Sequence, residues 1–216
     1  MQPNHLARAS GASRFVLAAL VLGLATACTT TSSAVKTTKP APGPWLEPSP
    51  ALRERIADAT KRLPWTHGLD RVEIIQWFAG VGEPAYPTLL AMVQDPRKDV
   101  AGAALAALGA TRDSRLVEHL RAIPLPPGPE DADFELERAR TLLRLGDWQM
   151  APALIRGLRD ERLVTRALCA QALNEATHER FDYDARAEPE KREQAVQRWE
   201  SWWRRREQDP LLQAKK

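Results

Sequence analysis

Cysteine is almost missing from this chain: two residues in 216, at positions 28 and 169. Two thiols cannot build a disulfide framework, so an exported domain of this size must stand on its hydrophobic core. Histidine is also scarce, and His67, His119 and His178 fall on separate segments with no His-Glu-x-x-His spacing. No metal is expected. Asp182 and Asp184 flank Tyr183, but no Asp-x-Asp-x-Asp-Gly run follows them to make a calcium loop. Gly-rich phosphate loops, Gly-x-Ser-x-Gly elbows and Cys-x-x-Cys pairs are absent too. No cofactor or catalytic residue is therefore assigned, and a non-enzymatic role is expected. Charge of one sign is missing as well. The chain has 31 Lys+Arg against 28 Asp+Glu, a net of +3. That leaves no basic footprint for nucleic acid.

The amino terminus carries a clear signal. Arg8 and Arg14 precede an uncharged run from Phe15 to Ala27 that ends Leu24-Ala25-Thr26-Ala27-Cys28. A positive n-region, an apolar h-region and small residues at the cut describe a secretory signal peptide over residues 1–27. Cysteine directly after the small residues resembles the lipobox of bacterial lipoproteins. Ala25 stands where that family usually has leucine. The resemblance implies that Cys28 becomes the acylated, palmitate-type first residue of the mature chain and its membrane anchor. An incidental cysteine beside an ordinary signal, or an uncleaved anchor, is the competing reading. The strongly apolar part is about 13 residues, short of the ~20 a spanning helix needs. Thr29 follows the cysteine, so outer-membrane sorting is the default, with the globular part in the periplasm. Loss of Arg8 and Arg14 brings the mature chain to about +1.

Residues 28–48 read as the lipidated cysteine and a tether. The segment is rich in Thr and Ser, then carries Pro40, Pro42, Pro44 and Pro48. Such composition cannot bury a core and favours extended conformers. About 20 residues at ~3.1 Å each would hold a domain up to roughly 60 Å from the bilayer. Trp45-Leu46 is the exception, expected to tuck against the first helical unit.

Beyond Pro50 no stretch alternates as a strand does, and the pattern is short helices ended by Gly, Pro or Asp. Ser49 to Leu63 reads as a leading helix. Val72, Ile75, Phe78 and Ala79 follow helical spacing after an Asp70…Glu73 capping box, and Gly82 closes that unit. Leu89, Leu90 and Val93 belong to the next segment. Asp95 is expected as N-cap and Pro96 as first residue of a helix buried through Ala101, Ala104, Leu105, Ala107 and Leu108, with Gly109 at C′. The design recurs at an offset of 65: Pro87 matches Pro152, Leu89 matches Leu154, Val93 matches Leu158, Asp95 matches Asp160 and Leu108 matches Leu173. A diverged copy lies between, with Leu116, Val117 and Leu120, a break from Pro124 to Pro129, then Ala139, Leu142, Leu143 and Gly146. Glu130, Asp131 and Asp133 suit the N-terminal turn of that copy's second helix. The period of about 32 residues points to a helical-pair repeat.

Val100-Ala101-x-x-Ala104-x-x-Ala107-Leu108, preceded by Leu89-Leu90-x-x-Val93-x-Asp95, resembles the bacterial HEAT-like repeat of the PBS-lyase type. Thr165-Arg166-x-x-Cys169-x-x-Ala172-Leu173 keeps the same pattern. The resemblance implies an all-α fold: a short right-handed α-solenoid of about four helical pairs over residues 49–178. Cys169 is expected as a small buried hydrophobe. Residues 179–209 read as a loop and capping helix, with Ala195, Val196, Trp199, Trp202 and Trp203 on one face. Residues 210–216 read as a disordered tail. The Trp stripe is expected to cover the last repeat, since an open end of such an array must be covered. An interfacial membrane helix, or a ligand-stacking site, is the alternative for Trp199, Trp202 and Trp203.

The expected function is a membrane-tethered scaffold that binds an as yet unidentified protein partner. Its contact edge is expected at the turns, through Arg97, Lys98, Arg112, Arg115, Trp148 and Arg162. An envelope-structural or assembly factor docking through the Trp helix, and a small-ligand-binding lyase-like accessory, are the alternatives.

Overall fold

The computed structural model describes residues 45–124 and 132–208. The expected signal peptide and Cys28, most of the expected tether, the proline-rich break and the expected tail lie outside the described residues. Among the described residues the fold is all-α, with nine helices: α1 Pro50–Arg62, α2 Gly68–Val81, α3 Tyr86–Met92, α4 Lys98–Thr111, α5 Leu116–Ala122, α6 Ala132–Arg144, α7 Ala151–Gly157, α8 Leu163–Thr177 and α9 Pro189–Glu207. No helix among them is long and apolar enough to cross a membrane.

Local chemistry sets the ends. Ser49 caps α1, its hydroxyl accepting from the Leu52 N–H at 3.3 Å, with Pro50 in the first turn and Lys61 and Arg62 in the last. Gly82 closes α2 at φ 67, a conformation that costs glycine little. The 65-residue offset holds in three dimensions. Helix α3 starts at 86 and α7 at 151, while α4 starts at 98 and α8 at 163.

Packing proceeds in chain order. Helix α4 lies against α2 and α6, and α6 against α8, while α3 backs α4 and α7 backs α8. The core falls into two clusters that share α6. Phe134 and Leu142 of α6, with Leu145 just after it, join the cluster built from α1 to α5. Ala139 and Leu143 join the second, with Leu154, Leu158, Cys169, Leu173, Val196 and Trp199. One helix thus carries two apolar faces, because it is covered on both sides.

Several sequence expectations need correction. Helix α2 begins at Gly68 behind His67, so Asp70 and Glu73 lie inside the helix rather than forming its box. Its inward face is Ile74 and Phe78, leaving Val72 46% exposed. Asp95 and Pro96 precede α4 rather than opening it. The Asp95 carboxylate accepts the Arg97 N–H at 2.9 Å, and Arg97 is extended at φ −80, ψ 107, so the helix starts at Lys98. Gly109 is not a C′ residue. It stays within α4 where Thr141 of α6 comes within 3.4 Å of the position a Cβ would take, and Arg112 makes the left-handed cap at φ 54. The Thr141 hydroxyl donates to the Leu105 carbonyl at 3.1 Å across the same contact. Trp45 tucks against the helical array. Its ring meets Tyr86 of α3 and His119 of α5 at 5.0 and 5.1 Å, while Leu46 stays exposed.

Helix α7 meets α8 closely at Gly157. A Cβ there would lie 2.5 Å from Cys169 Sγ and 3.3 Å from Leu136 Cδ2. Gly157→Ala is expected to lower stability by about 1–3 kcal/mol through overpacking. Cys169→Gly on that background should recover most of the loss in a urea-denaturation cycle. An additive pair would show that the clash is relieved elsewhere.

Candidate functional site

The expected contact edge is built from one repeated turn. In Asp95-Pro96-Arg97, Asp113-Ser114-Arg115 and Asp160-Glu161-Arg162, the aspartate accepts the N–H of the arginine two residues on, at 2.9, 3.0 and 2.9 Å. The arginine side chain folds back on the same carboxylate, with Nε donating at 2.8, 3.1 and 3.0 Å. Short polar side chains that bond the backbone two residues on are natural turn formers. Arg115 also reaches Glu83 at 3.0 Å, and Arg162 reaches Asp133. Arg97, Arg115 and Arg162 are therefore bonded within the chain, and Arg115 and Arg162 also join neighbouring segments.

The fourth copy of this turn is divided between two segments. Asp147 accepts the Gln149 N–H, and its guanidinium comes from Arg121 of α5, both bonds measuring 2.8 Å. Asp147 has a side chain only 3% exposed, against 36% for Arg121. Sequence reasoning missed this pair. The signal available was an aspartate at the turn position with no arginine two residues later.

The remaining edge residues differ in setting. Lys98 is exposed in the first turn of α4, and Arg112 is exposed at its end. Trp148 is half-buried beside Trp202, with the Arg206 guanidinium 4.8 Å over its ring. The six residues do not share one environment.

At the far end, α9 lies on α7. Trp199 is fully buried, edge-on to Phe181 at 4.7 Å and to Trp202 at 5.6 Å. Trp202 and Trp203 are half-buried. The Tyr183 hydroxyl donates to the Leu158 carbonyl at 2.5 Å, and Arg159 bonds Glu193 and Glu200 of α9 at 2.7 Å each. Asp184 accepts the Arg186 N–H at 2.8 Å, a loop staple. Arg166 is buried, donating to the Asp160, Glu161 and Ala185 carbonyls.

The first end differs. Trp65 is 81% exposed, Leu69 80% and Val72 46%. Leu69 and Val72 lie three apart on one side of α2. Arg71 fixes the approach, donating to the Thr66 carbonyl at 2.8 Å and to Asp99 at 2.8 Å. Sequence reasoning missed this surface, because Val72 carried the period of a buried face.

The turn carboxylates titrate abnormally. The Arg97 side chain, then its N–H, holds Asp95 down at about 2. Asp113 and Asp160 are lowered first by the side chains of Arg115 and Arg162. A depressed carboxyl stabilises the fold above its ordinary value of about 4, and that contribution is lost as pH falls toward its folded value. Urea midpoints are expected to fall from about pH 5 to 2, with a shallower fall in Asp95→Asn. Equal slopes would show that this turn is not linked to folding.

Burial raises the Cys169 thiol to about 11, which disfavours a thiolate role. Among the described residues, no three His, Cys, Asp or Glu side chains converge as metal ligands. No family model, curated protein or solved structure matches the chain.

Proposed function

We propose that this chain is a lipid-anchored, HEAT-like repeat module of a bacterial envelope that binds another protein without catalysis. Cys28 would carry the anchor, and residues 29–48 would present the helical array in the periplasm. Successive packing of α2, α4, α6 and α8, with α3 and α7 behind, supports the solenoid reading. The observation that carries partner binding is the exposed Trp65, Leu69 and Val72 surface, at the end opposite the buried Trp199. Large apolar side chains held together in water mark interaction surfaces. This moves the contact from the turn arginines, which bond their own aspartates, to the first helical pair. The buried Trp199 and half-buried Trp202 weigh against α9 as a membrane-lying helix.

The test is crosslinking in living cells with a C-terminally tagged chain, followed by recovery from detergent-solubilised envelope. One protein near stoichiometry, lost in Trp65→Ser/Leu69→Ser but kept in Trp203→Ser, supports the adaptor. Recovery of bulk lipid and abundant envelope proteins alone overturns it.

A further inference from the structure

Leu69 and Val72 make an apolar ridge on α2, with Trp65 just ahead of the helix, and nothing among the described residues covers them. Beside the ridge runs a groove of about 770 Å³ between α1 and α2, lined in part by Ile74 and Trp77. Asp70 and Glu73 edge it from α2, and Glu54 and Asp58 from α1. Glu73 lies one turn beyond Leu69, so carboxylates flank the ridge itself. The nearby cations are engaged. Arg62 bonds Asp58 at 3.6 Å, Arg55 lies 5.4 Å over the Trp77 ring, and Arg71 turns to Thr66 and Asp99. Glu54, Asp70 and Glu73 are exposed and make no ion pair among the described residues. By contrast, Asp95, Asp113, Asp147 and Asp160 each hold an arginine. We infer that this side of α1 and α2 docks one class of partner segment: an amphipathic helix whose apolar stripe is flanked by lysine or arginine. The inference rests on the adaptor reading and names the chemistry of its partner.

Stacking selects a helix. Helices α2, α4, α6 and α8 lie each against the next, and α9 closes the far end. The free side of α2 is where one more helix continues the array. From Leu69 to Trp77 the helix runs about 12 Å, enough for anchors at i, i+3 or i+4, and i+7 of a docked helix. Charge selects its edges, since unpaired carboxylates beside an apolar contact favour cations and repel anions. Anionic lipid headgroups are disfavoured on the same ground, although the ridge is apolar. A second copy offering the same face would set like charges against each other. One offering α9 would bring no exposed large apolar side chain to the ridge.

The test is fluorescence anisotropy on the full chain carrying Cys28→Ser, with labelled peptides of about 14 residues, or roughly four helical turns. The probes are a Leu/Lys peptide with leucine at helical period, its Leu/Glu counterpart, and an Ala/Lys peptide of equal charge. One-site saturation by the Leu/Lys peptide is expected, with the other two at least about tenfold weaker. Leu69→Ser/Val72→Ser should weaken it at least about tenfold. Asp70→Lys/Glu73→Lys should reverse the preference between the Leu/Lys and Leu/Glu peptides, with an unchanged circular dichroism spectrum because both positions are exposed. Equal affinity for the Leu/Glu peptide, or no change in Asp70→Lys/Glu73→Lys, overturns the assignment. So does binding to phosphatidylglycerol vesicles, or dimerisation, that is lost in Leu69→Ser. In living cells, a crosslinked partner lost in Trp65→Ser/Leu69→Ser but kept in Asp70→Lys/Glu73→Lys overturns the basic-helix chemistry and leaves the adaptor standing. The expected peptide binding with no partner recovered supports the docking chemistry and overturns the adaptor.

Discussion

Trp199→Ala is expected to lower stability by about 3–5 kcal/mol, the cost of deleting a fully buried large aromatic. The ring is 0% exposed and holds Phe181 and Trp202 edge-on. Truncation would leave a cavity under α9 and free the 181–188 loop, whose Tyr183 and Arg166 bonds pin it to α7 and α8. Thermal unfolding should show a large fall in midpoint, with early loss of protection in α9 amides by hydrogen exchange. Trp199→Phe should cost much less, because it keeps a ring and removes an indole N–H that has no partner among the described residues. Equal losses in the two variants would mean that the indole's full width, rather than its burial, holds the cap.

Arg121→Met is expected to cost about 2–4 kcal/mol, near the lower part of the range for breaking a buried pair because the arginine is partly exposed. What remains is the Asp147 carboxylate, 3% exposed, which among the described residues keeps the Gln149 N–H as its donor. Arg121→Met/Asp147→Asn should recover most of the loss at pH 7. Failure of the double variant to recover would assign the cost to lost packing of the Arg121 stem.

The helical character and the spacing of units were legible because both are local. Period-3.6 apolar positions, Ser49 and Gly82 mark helices wherever the chain goes, and the 65-residue offset survives unchanged in the folded elements. Leu89, Leu105, Leu108, Leu154, Cys169 and Leu173 are all buried, as their spacing requires. Less legible were positions where two local rules compete. Asp95-Pro96 satisfies the rule for a helix start and the rule for a turn. The bond from the Asp95 carboxylate to the Arg97 N–H decides for the turn. Gly109 fits a helix end, yet the neighbouring α6 needs the space above it.

The candidate site was read less well than the fold. A list of turn arginines follows from sequence spacing, but whether an arginine is offered to a partner depends on its distance from carboxylates remote in the chain. Arg115 meets Glu83 across 32 positions, and Arg162 meets Asp133 across 29. Trp65 and Leu69 gave no sequence signal, since exposure is a property of what fails to pack over a side chain.

By itself the sequence determined that the described residues are helical, where the 65-residue offset falls and most of the side chains that fill the core, because propensity, capping and period act within a few residues. Only the tertiary structure decided which end is covered by Trp199, which arginines are already paired, and which apolar side chains of α2 stay exposed. Those outcomes depend on the approach of elements tens of residues apart, and their energies are set by burial that no single segment carries.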